Sequence, residues 1–207
     1  MGAANNYDKM RIGIIMLAAG ASSRMNEPKQ LLMFQGKTLL HRAVETAVES
    51  IYQPVVVVLG ANFEKTRAEI EDLPVEIVFN ENWQSGLSSS IKTGIENLLQ
   101  FAPDAGAVVV ALADQPFVTS THLNLFADEF YRSNKLVVAA EYNETVGVPA
   151  LFAREVFADF QMLSGDKGAK PIIEKHGNSL LTIDLPEAAF DIDTPFDLGF
   201  LKSDFGL

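Results

Sequence analysis

The sequence predicts an α/β fold, a three-layer sandwich around a mostly parallel, Rossmann-like sheet. Apolar runs at Ile12–Ala18, Pro54–Leu59 and Ala107–Ala113 show no alternation, as in strands buried on both faces. Segments with the apolar spacing of helices separate these runs. The 207 residues, 48% hydrophobic and 21% charged, suit an ordinary globular chain rather than a disordered one.

Residues 1–9 are polar and lack the apolar region of a signal peptide, so they read as a flexible leader before a single domain at 10–207. Ile12–Ala18 is the first strand, and the small-residue loop Ala18–Ser23 follows it. A helix is expected from about Lys37 to Ser50, with Leu39, Leu40, Ala43, Val44, Ala47, Val48 and Ile51 keeping the apolar helical period. Pro54–Leu59 holds four consecutive valines and is a second buried strand. Asn62 is expected to cap a helix carrying Phe63, Ile70 and Leu73. Val75–Phe79 is a short strand, and Ser88–Phe101 a helix with Ile91, Ile95, Leu98 and Leu99 inward. Ala107–Ala113 ends at Asp114-Gln115-Pro116, and Thr119 starts a helix to Ser133. Leu136–Ala140 is a strand, and Gly147–Phe152 is expected at a sheet edge because Pro149 cannot donate to a ladder. Helices near Arg154–Met162 and Ala169–Lys175 precede a last strand at Leu180–Ile183. Thr194-Pro195-Phe196-Asp197 reads as a helix start.

Sixteen Lys and Arg stand against 27 Asp and Glu, a net charge of −11. Such a chain lacks the broad positive footprint that nucleic acid needs and is repelled by anionic lipid. No apolar run approaches the ~18 residues of a membrane span. With no cysteine, disulfides, thiolate metal sites and Cys nucleophiles are excluded, which fits a cytoplasmic protein. A phosphate site here must be a local cluster set against the global field.

In parallel sheets ligands bind beyond the carboxyl ends of the strands, which points to the residues after Ala18 and after Ala113. Small residues in the first loop allow main-chain N–H groups to converge on phosphate oxygens. Arg24 and Lys29 add a forked and a point charge. The loop lacks the spacing of a P-loop or a dinucleotide motif, and a tight turn with surface cations reads equally well. Asp114 suits a Mg²⁺ ligand, or else a turn or cap residue. Asp191 and Asp193 would point opposite ways on an extended segment. Gly86-Leu87-Ser88-Ser89-Ser90 opens a helix, as a base or ribose contact or as a serine-rich cap. Lys170 reads as an ordinary surface lysine and Trp83 as packing. His41, His122 and His176 are scattered and form no ligand set.

The segment LAAGASSRMNEPKQLL resembles the LAAGxSxRxGxxK signature of the nucleotidylyltransferases. Gly86–Ser90, Ala113-Asp114-Gln115-Pro116, Gly165-Asp166-Lys167-Gly168-Ala169 and Asp191-Ile192-Asp193-Thr194-Pro195 follow in the order of the molybdenum cofactor cytidylyltransferase branch. Asn26 stands where Gly is usual, and Phe196 where an acid is usual. The resemblance implies Mg²⁺-dependent transfer of CMP from CTP to the phosphate of a molybdopterin-type acceptor, with release of pyrophosphate. It implies Arg24 and Lys29 as catalytic cations. The nucleotide would meet Leu17, Ala18, Ala19, Gly20, Ser22, Ser23, Arg24, Lys29, Ser88, Ser89 and Ser90. The acceptor would meet Gly147, Pro149, Gly165, Asp166, Lys167 and Gly168, and the metal Asp114 and Asp193. Ala19, where guanylyl members tend to carry Gly, favours CTP over GTP. A molybdenum hydroxylase apoenzyme is an implied partner. Two alternatives are a sugar- or polyol-phosphate nucleotidylyltransferase and a non-catalytic molybdenum cofactor chaperone. Intact Arg24, Lys29, Asp114 and Asp193 argue against the chaperone.

Overall fold

The structure is a computed structural model and describes residues 10–22 and 27–192. The leader, Ser23, Arg24, Asn26, Asp193 and the expected helix start at Thr194 lie outside the described residues. In chain order the main elements are β1 (Ile12–Ala18), β2 (Met33–Phe34), β3 (Lys37–Thr38), α1 (Leu39–Val48), β4 (Val55–Leu59), α2 (Phe63–Ala68), β5 (Glu76–Phe79) and α3 (Leu87–Phe101). They continue with β6 (Ala107–Leu112), α4 (Ser120–Ser133), β7 (Val137–Tyr142), β8 (Thr145–Ala153), α5 (Phe157–Phe160), α6 (Lys170–Lys175) and β9 (Leu180–Asp184). None of the described helices is long and apolar enough to cross a membrane.

Seven strands form one sheet in the order β5-β4-β1-β6-β8-β7-β9. Only the two pairings of β8 are antiparallel; the other four are parallel. The sheet divides two cores, which explains the unbroken apolar runs. Ile12, Ile14, Met16 and Ala18 face a core with Leu40 and Val44 of α1 and Phe126 and Phe130 of α4. Ile15 and Leu17 face the other core, with Ile91, Ile95 and Leu98 of α3 and Phe160 of α5. Alternate residues of one strand thus seal opposite layers.

Local chemistry sets the helix starts. Thr38 accepts a hydrogen bond from the His41 backbone N–H at 3.2 Å, and Thr119 forms a capping box with His122. Asn62 does stand before α2, but it is left-handed at φ 60° and makes no side-chain cap bond. Its carbonyl instead accepts from the N–H groups of Lys65 and Thr66.

The expectation of an edge strand at Gly147–Phe152 is corrected: β8 lies inside the sheet, between β6 and β7. The register against β7 jumps from Ala139–Ala150 to Ala140–Gly147, leaving Val148 and Pro149 in an irregularity. A proline that cannot donate is tolerated there. The hairpin β2–β3 was not anticipated. Gln35 and Gly36 both have positive φ, 50° and 82°, as a tight two-residue turn requires. The hairpin seats Leu32 and Phe34 on Leu39 and Ile192 in a small third core.

Gly94 lets α3 approach the sheet. A Cβ there would sit 2.6 Å from Ile15 Cγ2 and 3.2 Å from Val58 Cγ2, on short branched side chains that cannot swing aside. Gly94→Ala gains up to about 1 kcal/mol of helix propensity but overpacks the interface by about 1–3 kcal/mol. The expected outcome is net destabilisation, read as a lower Tm by calorimetry.

Asp159 of α5 takes Lys175 Nζ at 2.7 Å and His176 Nε2 at 2.6 Å on its two oxygens. The Lys175 hydrogen bond, then that of His176, holds its carboxyl below the ordinary value of 3.8. Its folded pKa is depressed, so its stabilisation is present above 3.8 and is lost as pH falls through the lower folded value. Asp159→Asn is expected to cost about 1 kcal/mol at pH 7. That deficit should close in acid denaturation below pH 3.8.

Candidate active site

The parallel register of β1 with β6 pairs Leu17 with Leu112, so both strands deliver their following residues to one end of the sheet. After β1 the chain turns through Ala19, Gly20 and Ala21. Gln30, only 4% exposed, reaches back to this turn. Its Nε2 donates to the Ala18 carbonyl at 3.2 Å and to the Gly20 carbonyl at 2.7 Å. Ser22, at φ 54°, donates its hydroxyl to Gln30 Oε1 and accepts the Lys29 backbone N–H at 2.9 Å. The loop is therefore closed on itself, with Lys29 at its rim.

Lys29 Nζ lies 2.5 Å from Asp114 Oδ2, and both side chains are largely buried. The other Asp114 oxygen, Oδ1, is buried with no hydrogen-bond partner among the described residues. The Asp114 carbonyl accepts the Ile192 N–H at 3.2 Å, so the described chain ends beside this acid. Gln115, the next residue, donates to the carbonyls of Val148 and Ala188, fastening β8 and the turn at Pro186–Ala189 to the end of β6. Tyr142 donates to the Val148 carbonyl, and its hydroxyl pKa is raised by burial, then by Asp191 and Asp114.

The opposite wall begins at β5. Asn80, 2% exposed, donates through Nδ2 to Ser89 Oγ at 2.9 Å and Ser90 Oγ at 3.0 Å. Its Oδ1 accepts the Asn82 N–H. The turn at Trp83–Ser85 and the start of α3 are thereby one unit. Gly86, at φ 97°, lies against Gly165 and Asp166, where a Cβ would fall 2.5 Å from Asp166 Oδ1. The Gly165 carbonyl accepts the Ser88 N–H at 3.0 Å.

Between these walls lies a cavity of about 390 Å³. Among the residues singled out from the sequence, Leu17, Ala18, Ala19, Gly20, Lys29, Ser90, Asp114 and Asp166 line it. Ser22 and Ser89 do not; their hydroxyls donate to Gln30 and to backbone carbonyls. Ser88 Oγ is buried without a partner among the described residues, outside the lining. Gly165, Lys167 and Gly168 are not among the lining residues, and Gly168, at φ 59°, lies over Leu87. Gly147 stands against the Tyr142 hydroxyl, 2.6 Å from where its Cβ would be, beside Pro149. Trp83, read as packing, and Gln84 both line the cavity. Gln30, Asn80 and Gln115 were not assigned roles from sequence. Each lies between a charged and an apolar residue, Lys29 and Leu31, Phe79 and Glu81, Asp114 and Pro116, a pattern that does not announce a buried amide.

Such a cleft, at the carboxyl ends of adjacent parallel strands, belongs to the nucleotide-diphospho-sugar transferase-like proteins. The Rv0371c protein of Mycobacterium tuberculosis H37Rv superposes with a TM-score of 0.80 and 28% identity, over 93% of this chain and 97% of that one. The chain belongs to the family of the MobA-like NTP transferase domain, which it matches over residues 14–180. It is 39% identical over 113 residues to nicotine blue oxidoreductase of Paenarthrobacter nicotinovorans, 52% of this chain and 51% of that protein. The match thus spans about half the length of that relative. A manganese complex of Rv0371c aligns with 26% identity and a TM-score of 0.75, over 94% of this chain and all of that one.

Asp114→Asn keeps size and shape and removes the charge facing Lys29. The expected outcome is a melting temperature within a few degrees of wild type with pyrophosphate release reduced at least about 10²-fold. Both are measured on the same preparation.

Proposed function

We propose that the protein transfers CMP from CTP to the terminal phosphate of a molybdopterin-type acceptor, with Mg²⁺, releasing pyrophosphate. The observation that carries this reading is the Lys29–Asp114 pair beside the small-residue loop, with one buried Asp114 oxygen unpartnered among the described residues. An acceptor phosphate oxygen forms a bond to the α-phosphorus, and the bond from that phosphorus to the bridging oxygen of the β-phosphate breaks. The attacking oxygen is already ionised near neutral pH, so positioning and charge neutralisation carry the catalysis. Lys29 meets the charge of the triphosphate, and Arg24 adds a fork to it.

The residues present suit a divalent cation. No group of three or more metal-binding side chains exists among the described residues, and Mg²⁺ takes one or two carboxylates together with phosphates and water. Asp114 would hold it through the unpartnered oxygen, joined by Asp193. When bound, the ion would neutralise charge on the phosphates. A divalent site is also supported by the manganese complex of Rv0371c.

The base is assigned to the wall of Ala18, Ala19 and Ser90. Ser90 accepts from Asn80, so its own proton is available to an acceptor atom on the ligand. The acceptor is assigned to the side of Gln115, Tyr142, Gly147 and Pro149, with Asp166 and Lys167 at the far rim. A molybdenum hydroxylase apoenzyme is the proposed recipient of the product, in the cytoplasm. Nicotine blue oxidoreductase, by its name, raises a redox reading for the shared half. An assay of pyrophosphate release with each nucleoside triphosphate, Mg²⁺ and molybdopterin, beside NADH oxidation, separates the two. Turnover only with a sugar phosphate would replace the acceptor.

The methyl group of Ala19 narrows the base wall. CTP is expected to be used in preference to GTP by about 10–200-fold, the scale set by one methyl group. Ala19→Gly should raise kcat/KM for GTP more than it lowers that for CTP. A wild type that prefers GTP rejects cytidylyl transfer.

A further inference from the structure

We propose that Gln30 is the positioning residue of the phosphate loop: its buried amide turns the Ala19 and Ala21 N–H groups toward the ligand's phosphate oxygens. The inference rests on the nucleotidyl-transfer reading of this cavity.

Only one end of the Gln30 amide can donate, and that end meets the carbonyls of Ala18 and Gly20. Oε1 accepts the Ser22 hydroxyl proton at 3.3 Å, which fixes the amide's orientation. Across a trans peptide the C=O and the following N–H point in opposite directions. With the Ala18 and Gly20 carbonyls drawn to Gln30, the N–H groups of Ala19 and Ala21 are turned away from it, to one side of the loop. The peptide between them is reversed, because the Ala19 carbonyl accepts the Ala61 N–H at 3.0 Å. Two donors two residues apart therefore run nearly parallel, the arrangement that grips an anion. Ser22 extends the same clasp to the backbone of Lys29, so one side chain sets both the amides and the base of the cationic residue. Glutamate would press carboxylate oxygens on two carbonyls. Methionine would fill the space and leave both carbonyls free to rotate.

The test is calorimetric titration of the full chain with pyrophosphate at fixed Mg²⁺, for wild type, Gln30→Met, Gln30→Glu and Ser22→Ala, well below each unfolding transition. Pyrophosphate affinity should fall about tenfold in Gln30→Met, further in Gln30→Glu, and about threefold in Ser22→Ala. CTP affinity should fall more than CMP affinity, because CMP carries fewer of the phosphate oxygens. A purely structural Gln30 would lower Tm in the folded variants and leave these affinities unchanged, which overturns the proposal. If Gln30→Met does not fold, Ser22→Ala decides by the same criterion, since it loosens the clasp from its half-buried end. Wild-type protein that binds pyrophosphate but selects GTP overturns the cytidylyl reading and leaves the role of Gln30 standing.

Discussion

The parallel pairing of β1 with β6 is the constraint on which the site depends. Lys29 and Asp114 are 85 residues apart in sequence and meet because Leu17 is in register with Leu112. A slip of one residue would turn Ala18 to the opposite layer and carry the loop away from the acid. The two buried cores hold that register, since alternate side chains of β1 are locked into opposite layers. The chemistry at the strand ends is thus fixed by apolar packing along the strands. In a chain with net charge −11, Lys29 is held in one place at the end of the sheet by its pairing with Asp114.

Three neutral amides then shape the cleft. Gln30 fixes the loop after β1, Asn80 the turn before α3, and Gln115 joins the end of β6 to β8 and the turn after β9. Each is buried and bonds backbone or hydroxyl groups of a different segment. An amide suits this role because it donates and accepts without a charge to desolvate. Loop carbonyls and hydroxyls that would otherwise be orphaned inside the protein are satisfied, which ties the loops to the sheet they leave.

Where the sequence misled, the information lay in distant contacts. Pro149 argued for an edge strand because a proline lacks a ladder donor, yet a local irregularity absorbs that loss inside the sheet. Asn62 had the chemistry of a cap but used its tolerance of positive φ instead. Gly147, Gly165 and Gly168 are expected at the acceptor by resemblance, and packing gives two of them a further role. In the structure Gly147 makes room for Tyr142, and the Gly165 carbonyl takes the Ser88 N–H of α3.

The sequence by itself determined the α/β class, the long buried strands and the loop and acid that follow two of them. Those features are local: unbroken apolar runs, helical spacing and motif order are all written within short windows. The tertiary structure alone decided the sheet order, the internal place of β8, the meeting of Lys29 with Asp114 and the work of Gln30, Asn80 and Gln115. The reason is physical. A side chain's hydrogen-bond partner is set by which segments packing brings within about 3 Å, and no short window of sequence contains both ends of such a bond.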